Sequence, residues 1–439
     1  MSRLLRTGLN AGSAAPLVVG GEGVYFHLSD GRKVLDGSNT GGPLGHGHPR
    51  MAAALREAAA LPMVSEGWNW RGRDAAAERL FEVGLSEETH WAGAVRFCLS
   101  GSEANDLALS LSQAITGRKA IATRERAYHG LVGLSRDVTV QPHWHGGLAA
   151  PGVTKVPPPG APVHVLPAPD GALYLADARP SEGSAAERLA GEADKLSQSA
   201  AVIVDYSQGG FYHDAAYQDA MAELARRCGT FWIADEVVTG LGRAGRHFAF
   251  TAGESRPDIV TLGKGLGGGM APVAAIILSK DVLAELDGKS WQNYGTLRGH
   301  PMAMAAVSAY LDILVEEDLL ARVAALETLF ARRLREIAGR HPSVARVAGQ
   351  GLHWTIELFG PDWRDWRADT AEPPIASRVA AGALAQGAVI GTSGEQVSLF
   401  LAPPLIIAEQ EAETLLGILD ENLCLADREH NMAVESARR

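Results

Sequence analysis

A lysine and a carboxylate, 29 residues apart, each follow a short apolar run. Ile259-Val260-Thr261-Leu262 leads into Gly263-Lys264-Gly265-Leu266-Gly267-Gly268-Gly269, and Phe231-Trp232-Ile233-Ala234 leads into Asp235-Glu236-Val237. Such runs read as buried strands, so both charged groups stand where a strand leaves the core. Open α/β sheets place their ligands at that edge, and a charge there is costly unless it is paired or used. A lysine amine on a glycine-rich loop can form a Schiff base with an aldehyde. A carboxylate beside it can hold the proton of a pyridine-type ring nitrogen.

Two further segments suit a flat, phosphorylated ligand. Ser100-Gly101-Ser102-Glu103-Ala104-Asn105 joins a strand to a helix start, where free amides and a hydroxyl can take a phosphate; plain N-capping by Ser100 or Ser102 is the alternative. Tyr128-His129-Gly130 offers an aromatic face for stacking on a ring, or simply a core tyrosine. His46-Gly47-His48-Pro49 and His143-Trp144-His145 look like metal ligands but lack cysteine or carboxylate partners at zinc spacing, so no metal is expected.

The elements that must position these groups are legible in outline. Residues 16–40 read as an antiparallel meander. From about 50 to 275, strand-like and helix-like segments alternate, which favours a mainly parallel sheet. Val95–Leu99 and Ala201–Val204 read as strands, and Ala104, Leu107, Ala108, Leu111 and Ile115 follow helical spacing up to Thr116-Gly117. Residues 141–185 read as loop-rich, 303–340 as strongly helical, the last hundred residues as a smaller mixed unit, and the polar tail from about 426 as disordered. The expected division is an N-terminal segment (1–50) joining the small domain, a large domain (51–305) and a C-terminal small domain (306–439).

Composition removes several function classes. The 439 residues are 46% hydrophobic and 21% charged, with a formal charge of −11, which gives no basic footprint for nucleic acid. Three scattered cysteines, Cys98, Cys228 and Cys424, argue against a disulfide framework and suit a reducing compartment. No apolar run reaches the roughly 18 residues of a membrane span, and the first residues lack a signal-peptide core. A soluble cytoplasmic protein is expected.

The ordered set of motifs resembles the class III (subgroup II) aminotransferases of pyridoxal phosphate (PLP) fold type I. It runs from Asn39–Pro49 through Ser100–Asn105, Tyr128-His129-Gly130, Asp235–Arg243, Thr261–Gly265, Tyr294-Gly295-Thr296 and Gly299-His300-Pro301 to Ala402-Pro403-Pro404-Leu405. The resemblance implies an α/β fold: a large, mainly parallel mixed-sheet domain and a smaller α+β domain. It implies that Lys264 bonds the cofactor aldehyde and then carries a proton, and that Asp235 keeps the ring nitrogen protonated. Val237 and Tyr128 would flank the ring, and Gly101 and Ser102 would hold the phosphate. Thr296 would reach the phosphate of the neighbouring subunit, which makes a homodimer with shared sites.

Three positions depart from the family pattern. Asp205-Tyr206-Ser207 replaces a Glu-Pro-Val run, Phe400 stands where an α-carboxylate-binding arginine is expected, and Val238 replaces a glutamine. Asp205 is therefore expected to have lost its arginine partner. Phe400 cannot pair with a carboxylate, so Arg298 and Arg71 become the candidate anchors. The implied function moves an amino group from an amino donor to a carbonyl acceptor, one of them lacking a standard α-carboxylate. Alternatives on the same scaffold are aminomutase, racemase, decarboxylase or lyase chemistry, since fold does not fix function. A non-catalytic PLP-fold binding protein is a third reading, opposed by the retention of Lys264 and Asp235.

Overall fold

The computed structural model describes residues 16–437 except 142–146, 151–152, 157, 170, 177–183, 211, 213, 360–372 and 394–396. Its centre is a seven-stranded sheet in the spatial order Ala92–Cys98, Ala274–Ser279, Ile259–Leu262, Phe231–Asp235, Ser199–Asp205, Ala120–Arg124, Val163–Leu166. Ala274–Ser279 pairs antiparallel with both neighbours, and the strands from Ile259–Leu262 to Val163–Leu166 pair in parallel. The expected mixed, mainly parallel sheet is thus found. The strand Val163–Leu166 lies inside the stretch read as loop-rich, because its few apolar residues are bracketed by proline and glycine.

The central strands are apolar on both faces, the pattern of a sheet covered by helices. Ala201, Ile203, Ile233, Ile259 and Ile276 pack with Leu107 and Leu111 of the helix Gly101–Thr116. Val202, Val204, Trp232 and Val260 face the other way, into a cluster with Tyr217, Met221 and Leu224 of Ala215–Arg227. Each such side chain contributes on the order of 1.5–3 kcal/mol when fully buried. The helix Gly101–Thr116 starts where Ser100 Oγ accepts from the Glu103 amide and Glu103 accepts from the Leu99 amide; it ends at Gly117 with φ +70°. That is the left-handed stop glycine favours.

Two smaller sheets complete the frame. The meander Val18–Glu22, Tyr25–Leu28, Lys33–Asp36 is antiparallel as expected and takes Ala388–Val389 as a fourth, parallel strand. A five-stranded antiparallel sheet runs Gly391–Thr392, Ser398–Leu401, His353–Leu358, Val344–Gln350, Tyr174–Leu175. The helical region divides into Pro301–Glu316 and Leu319–Arg340 at Asp318, whose φ is +48°. The polar tail is not a disordered end: the helix Glu409–Ala437 continues through it. Asp427 accepts from Ser343 and bonds His341, and Glu429 pairs with Arg378. These distant partners make a polar sequence structural.

One buried arginine ties three chain segments together. Arg243 donates to the carbonyls of Leu352 (3.0 Å), Pro403 and Asn39 (3.0 Å). Burial pulls its pKa down to about 10, so it stays charged at neutral pH. Gly351, with φ +55°, lets the Val344–His353 turn approach closely, since a Cβ there would lie 2.2 Å from the Arg243 carbonyl oxygen. Arg243→Leu should strand these carbonyls at about 1–3 kcal/mol each. A clear fall in the urea midpoint is the expected result; an unchanged midpoint would remove Arg243 from this role.

Candidate active site

Three parallel strands end side by side, and their last residues line up in register. Asp205 pairs with Asp235, and Asp235 with Thr261. Three residues past Thr261 the chain turns back with Lys264 at φ +38°. A lysine in that region is uncommon and must be held by its surroundings. Lys264, Asp235 and Asp205 line one cavity of about 130 Å³ with Gly101, Ser102, Asn105, Tyr128, His129, Gln208, Val237 and Val238. Sequence reasoning placed six of these together: Lys264, Asp235, Gly101, Ser102, Tyr128 and Val237.

Asp235 is almost fully buried and sits in a cage of donors. Its Oδ2 accepts from Asn105 Nδ2 (2.8 Å) and lies 2.7 Å from His129 Nδ1; its Oδ1 accepts from the Val237 amide (3.0 Å). An ionised carboxylate only accepts, so the Nδ1 proton points at Asp235, and His129 Nε2 turns to Thr123 Oγ1 at 3.0 Å. Asn105 is held in turn by the His129 carbonyl (2.7 Å) and the Thr261 hydroxyl (2.6 Å). Asn105, His129, Thr123 and Thr261 had been given no role. The available signal for Asn105 was its position one helical turn after Gly101.

Burial lowers the Lys264 pKa, with the charges of Asp235 and Asp205 opposing the shift. A larger share of the amine is then neutral and nucleophilic, as bond formation with an aldehyde requires. Tyr128 is pushed the other way, by burial and by Asp235, and stays a neutral ring.

The cavity fits a phosphorylated pyridine aldehyde on observations of its own. The N-terminus of Gly101–Thr116 opens onto it. A Cβ on Gly101 would lie 2.6 Å from Val237, and one on Gly130 (φ +123°) 2.2 Å from Ser102 Oγ, so both positions need glycine. Among the described residues, Asp205 Oδ2 is buried without a hydrogen-bond partner while the residue lines the cavity.

Several expectations are corrected here. Asp205 has not lost its arginine: Arg124 Nη2 donates to its Oδ1 at 2.5 Å, and the amides of Ser207 and Gln208 add to it. Arg298 is not among the residues that line this cavity. It is buried and bound to Glu103 (2.8 and 2.6 Å) and to Asn293 Oδ1 (2.5 Å), outside the cavity. Arg71 begins the helix Arg71–Gly84 on the exposed surface, and the chain does not bring it to the cavity. Phe400 lies on the strand Ser398–Leu401, its ring parallel to that of His353 at 5.8 Å. Thr296 is exposed. His46 bonds Asp36 and His48 bonds Glu317, while His143 and His145 fall outside the described residues. No described helix is long and apolar enough to cross a membrane.

Comparison with known proteins gives a consistent family. The profile described as Aminotransferase class-III matches residues 10–423. Acetylornithine aminotransferase 1 of Bordetella bronchiseptica is 32% identical over 91% of this chain and 92% of its own. Diaminobutyrate–2-oxoglutarate aminotransferase of Rhizobium meliloti is 30% identical, over 89% and 84%. The crystal structure of an S-selective transaminase from Arthrobacter sp. superposes with a TM-score of 0.88 at 27% identity, covering 97% of this chain and 96% of that one.

Behind Asp235, Glu236 is buried and accepts from the Phe250 amide (2.9 Å) and the Thr239 hydroxyl. Burial, with Asp235 adding, raises its pKa from 4.5 to about 7. The folded state therefore binds more protons than the unfolded one between those values, so Glu236 makes stability fall as pH rises from about 4.5 to about 7, by on the order of 3 kcal/mol. Asp258, raised by burial to about 6, adds a slope of the same sign. Glu236→Gln should flatten the fall in urea-measured stability across that window; an identical slope in variant and wild type would contradict the assignment.

Proposed function

This chain belongs to the class-III aminotransferase family, and from that premise we propose that the Lys264–Asp235 cavity is where it transfers amino groups between a donor and a carbonyl acceptor. Its fold is that of the fold type I enzymes and its cofactor is pyridoxal phosphate. Bound in the cavity, that cofactor supplies an aldehyde and an electron-withdrawing ring. The observation that carries the reading is the placement of a lysine of lowered basicity and a caged carboxylate in one cavity, at the carboxyl ends of adjacent strands.

The chain's own residues divide the work. Asp235, fixed by Asn105 and His129, holds a proton at the ring nitrogen. Lys264 is the residue that would hold the cofactor through its aldehyde, and its amine would carry the proton at the substrate Cα. Gly101 and Ser102 take the phosphate with amides and a hydroxyl. Tyr128 and Val237 fix the plane of the ring from its two sides. Residues 51–305 make the cofactor-binding domain, and 1–50 and 306–439 the smaller one.

The working enzyme is a homodimer with shared sites, and Thr296 serves the phosphate of the partner's site. Its exposure supports an apolar face that a second copy covers, with Tyr294 (61%) and Leu297 (47%) beside it in sequence and Trp68 (73%) next to Gly67, which the Tyr294 ring approaches. A cytoplasmic location fits three free cysteines. Relatives named for acetylornithine and for diaminobutyrate with 2-oxoglutarate support an amino acid or keto acid on one side of the reaction. Phe400, apolar where the family resemblance expects an arginine, supports a second partner without a standard α-carboxylate.

Two experiments test this reading. The loaded enzyme is offered a panel of amines and amino acids while cofactor absorbance and keto or aldehyde product are followed. Stoichiometric product with loss of the aldehyde band is expected, and carbon dioxide, phosphate release or isomerised product instead would move the enzyme to the other reaction classes. For the shared site, Lys264→Ala and Thr296→Asp subunits are mixed. Recovery of activity in the heterodimer, which restores one intact composite site, is expected; full activity from a monomer would end the proposal.

A further inference from the structure

The end of the helix Leu319–Arg340 meets the last helix, Glu409–Ala437, through a cluster of side chains that amino-group transfer does not use. Asp420, Cys424 and Asp427 follow one another at spacings of four and three residues, which puts them on one face of that helix. His341, which caps Leu319–Arg340, is buried and bonds both aspartates. None of the four lines the Lys264 cavity. Among the described residues, His341, Cys424 and Asp427 are the one group of histidine, cysteine and carboxylate side chains whose ligand atoms gather within 4.8 Å of one another. The histidines paired in the sequence, His46 with His48 and His143 with His145, take no part in it.

The hydrogen bonds around the cluster have the arrangement that a metal-ligating histidine needs. His341 Nε2 lies 2.8 Å from Asp420 Oδ1, and the other Asp420 oxygen takes Arg340 Nη2 at 2.5 Å. A carboxylate on one ring nitrogen fixes the tautomer and leaves the other nitrogen to act as ligand. That other nitrogen, Nδ1, faces Asp427 Oδ2 at 2.6 Å. Asp427 is held from behind, because its Oδ1 accepts from the Ser343 amide (3.1 Å) and hydroxyl (2.7 Å). The third donor, Cys424, is a free thiol on the exposed side. Ligands on one tetrahedral zinc stand roughly 3.3–3.6 Å apart, as bonds of about 2.0 Å to nitrogen or oxygen and about 2.3 Å to sulfur require. The 2.6 Å contact and the 4.8 Å limit bracket that spacing, so small side-chain rotations close the set.

We propose that His341 Nδ1, Asp427 Oδ2 and Cys424 Sγ form a zinc site that fastens the C-terminal helix to the end of Leu319–Arg340 and the start of Val344–Gln350. A thiolate with an imidazole selects zinc over magnesium or calcium, which take oxygen ligands. The thiolate and the carboxylate cancel the ion's two positive charges, so the metal leaves no uncompensated charge in a partly buried place. On binding, the zinc–sulfur and zinc–nitrogen bonds form as the thiol proton leaves to water and the metal takes the place of the proton between Nδ1 and Asp427; no electron is transferred. The exposure of Cys424 leaves the fourth position to water, so the ion exchanges with the medium. The site is separate from the Lys264 cavity and holds whether or not that cavity transfers amino groups.

The test uses full-length holoenzyme, stripped of metal with a chelator and dialysed. Zinc is titrated in competition with a chromophoric chelator, cobalt(II) serves as a visible probe of coordination, and magnesium is the control. A single zinc per chain is expected, with the d–d bands of four-coordinate cobalt, a raised thermal midpoint and slowed amide exchange over residues 420–437; magnesium should do none of these. Cys424→Ser, on the exposed surface, should keep the metal-free midpoint and weaken zinc by at least about 100-fold, whereas Asp420→Asn, which alters only the carboxylate behind His341, should weaken it about 10- to 100-fold. Asp427→Asn, which can still accept from Ser343, should match Cys424→Ser. Zinc held equally by wild type and Cys424→Ser would be an adventitious ion only and would overturn the proposal. A folded wild type that takes up no zinc at micromolar concentration would overturn it as well.

Discussion

A carboxylate buried at the end of a central strand must be held by donors on every side, and the cage around Asp235 sets the geometry of everything near it. Asn105 comes from a helix, His129 from a loop, and the Val237 amide from Asp235's own turn. Each donor is itself fixed: Asn105 by the Thr261 hydroxyl on the neighbouring strand, His129 by Thr123. A buried network of this kind is stabilising only when every member is satisfied. The cage therefore constrains the helix whose N-terminus opens onto the cavity, the loop that presents Tyr128, and the strand that leads to Lys264.

Close packing beneath the cavity follows from the same constraint. Val237 is pinned by its amide to Asp235, so Gly101 and Gly263 must come to it: a Cβ on them would sit 2.6 and 3.1 Å from its methyl groups. Lys264 then accepts a backbone conformation that the Leu262–Gly263 exit imposes. On the far side, Arg243 ties the turn between Val344–Gln350 and His353–Leu358 to the segments around Asn39 and Pro403. The small sheet is thereby held opposite the strand ends, with His353, Thr355 and Glu357 facing them. The cavity is thus bordered by two separate sheets, the first closed by the Asp235 cage and the second bearing the stacked rings of His353 and Phe400.

Much of the cavity lining was legible because a charge at the end of an apolar run has few structural explanations. Lys264, Asp235, Gly101, Ser102, Tyr128 and Val237 all border the cavity for that reason, and because their motifs occur in family order. The long-range partners of the charged residues were not legible. Arg298 looked free two residues past Thr296, but Glu103, 195 positions away, takes its guanidinium. Asp205 looked bereft, yet Arg124 reaches it from an adjacent strand. Arg126 gave no local signal, since its partner Glu357 lies 231 residues on. The tail beyond 426 is polar in composition but helical because His341, Ser343 and Arg378 wait for its carboxylates. Local pattern reports where a chain leaves the core; it does not report which distant charge meets it there.

The account rests on one amine. Borohydride reduction of the cofactor-loaded protein, followed by peptide mapping, reads out which lysine bonds the cofactor without any need for a substrate. The structure predicts the reduced cofactor's mass on the peptide that contains Lys264 and on no other. A label on Lys280 or Lys289, or no label at all in a protein that binds the cofactor stoichiometrically, would contradict it.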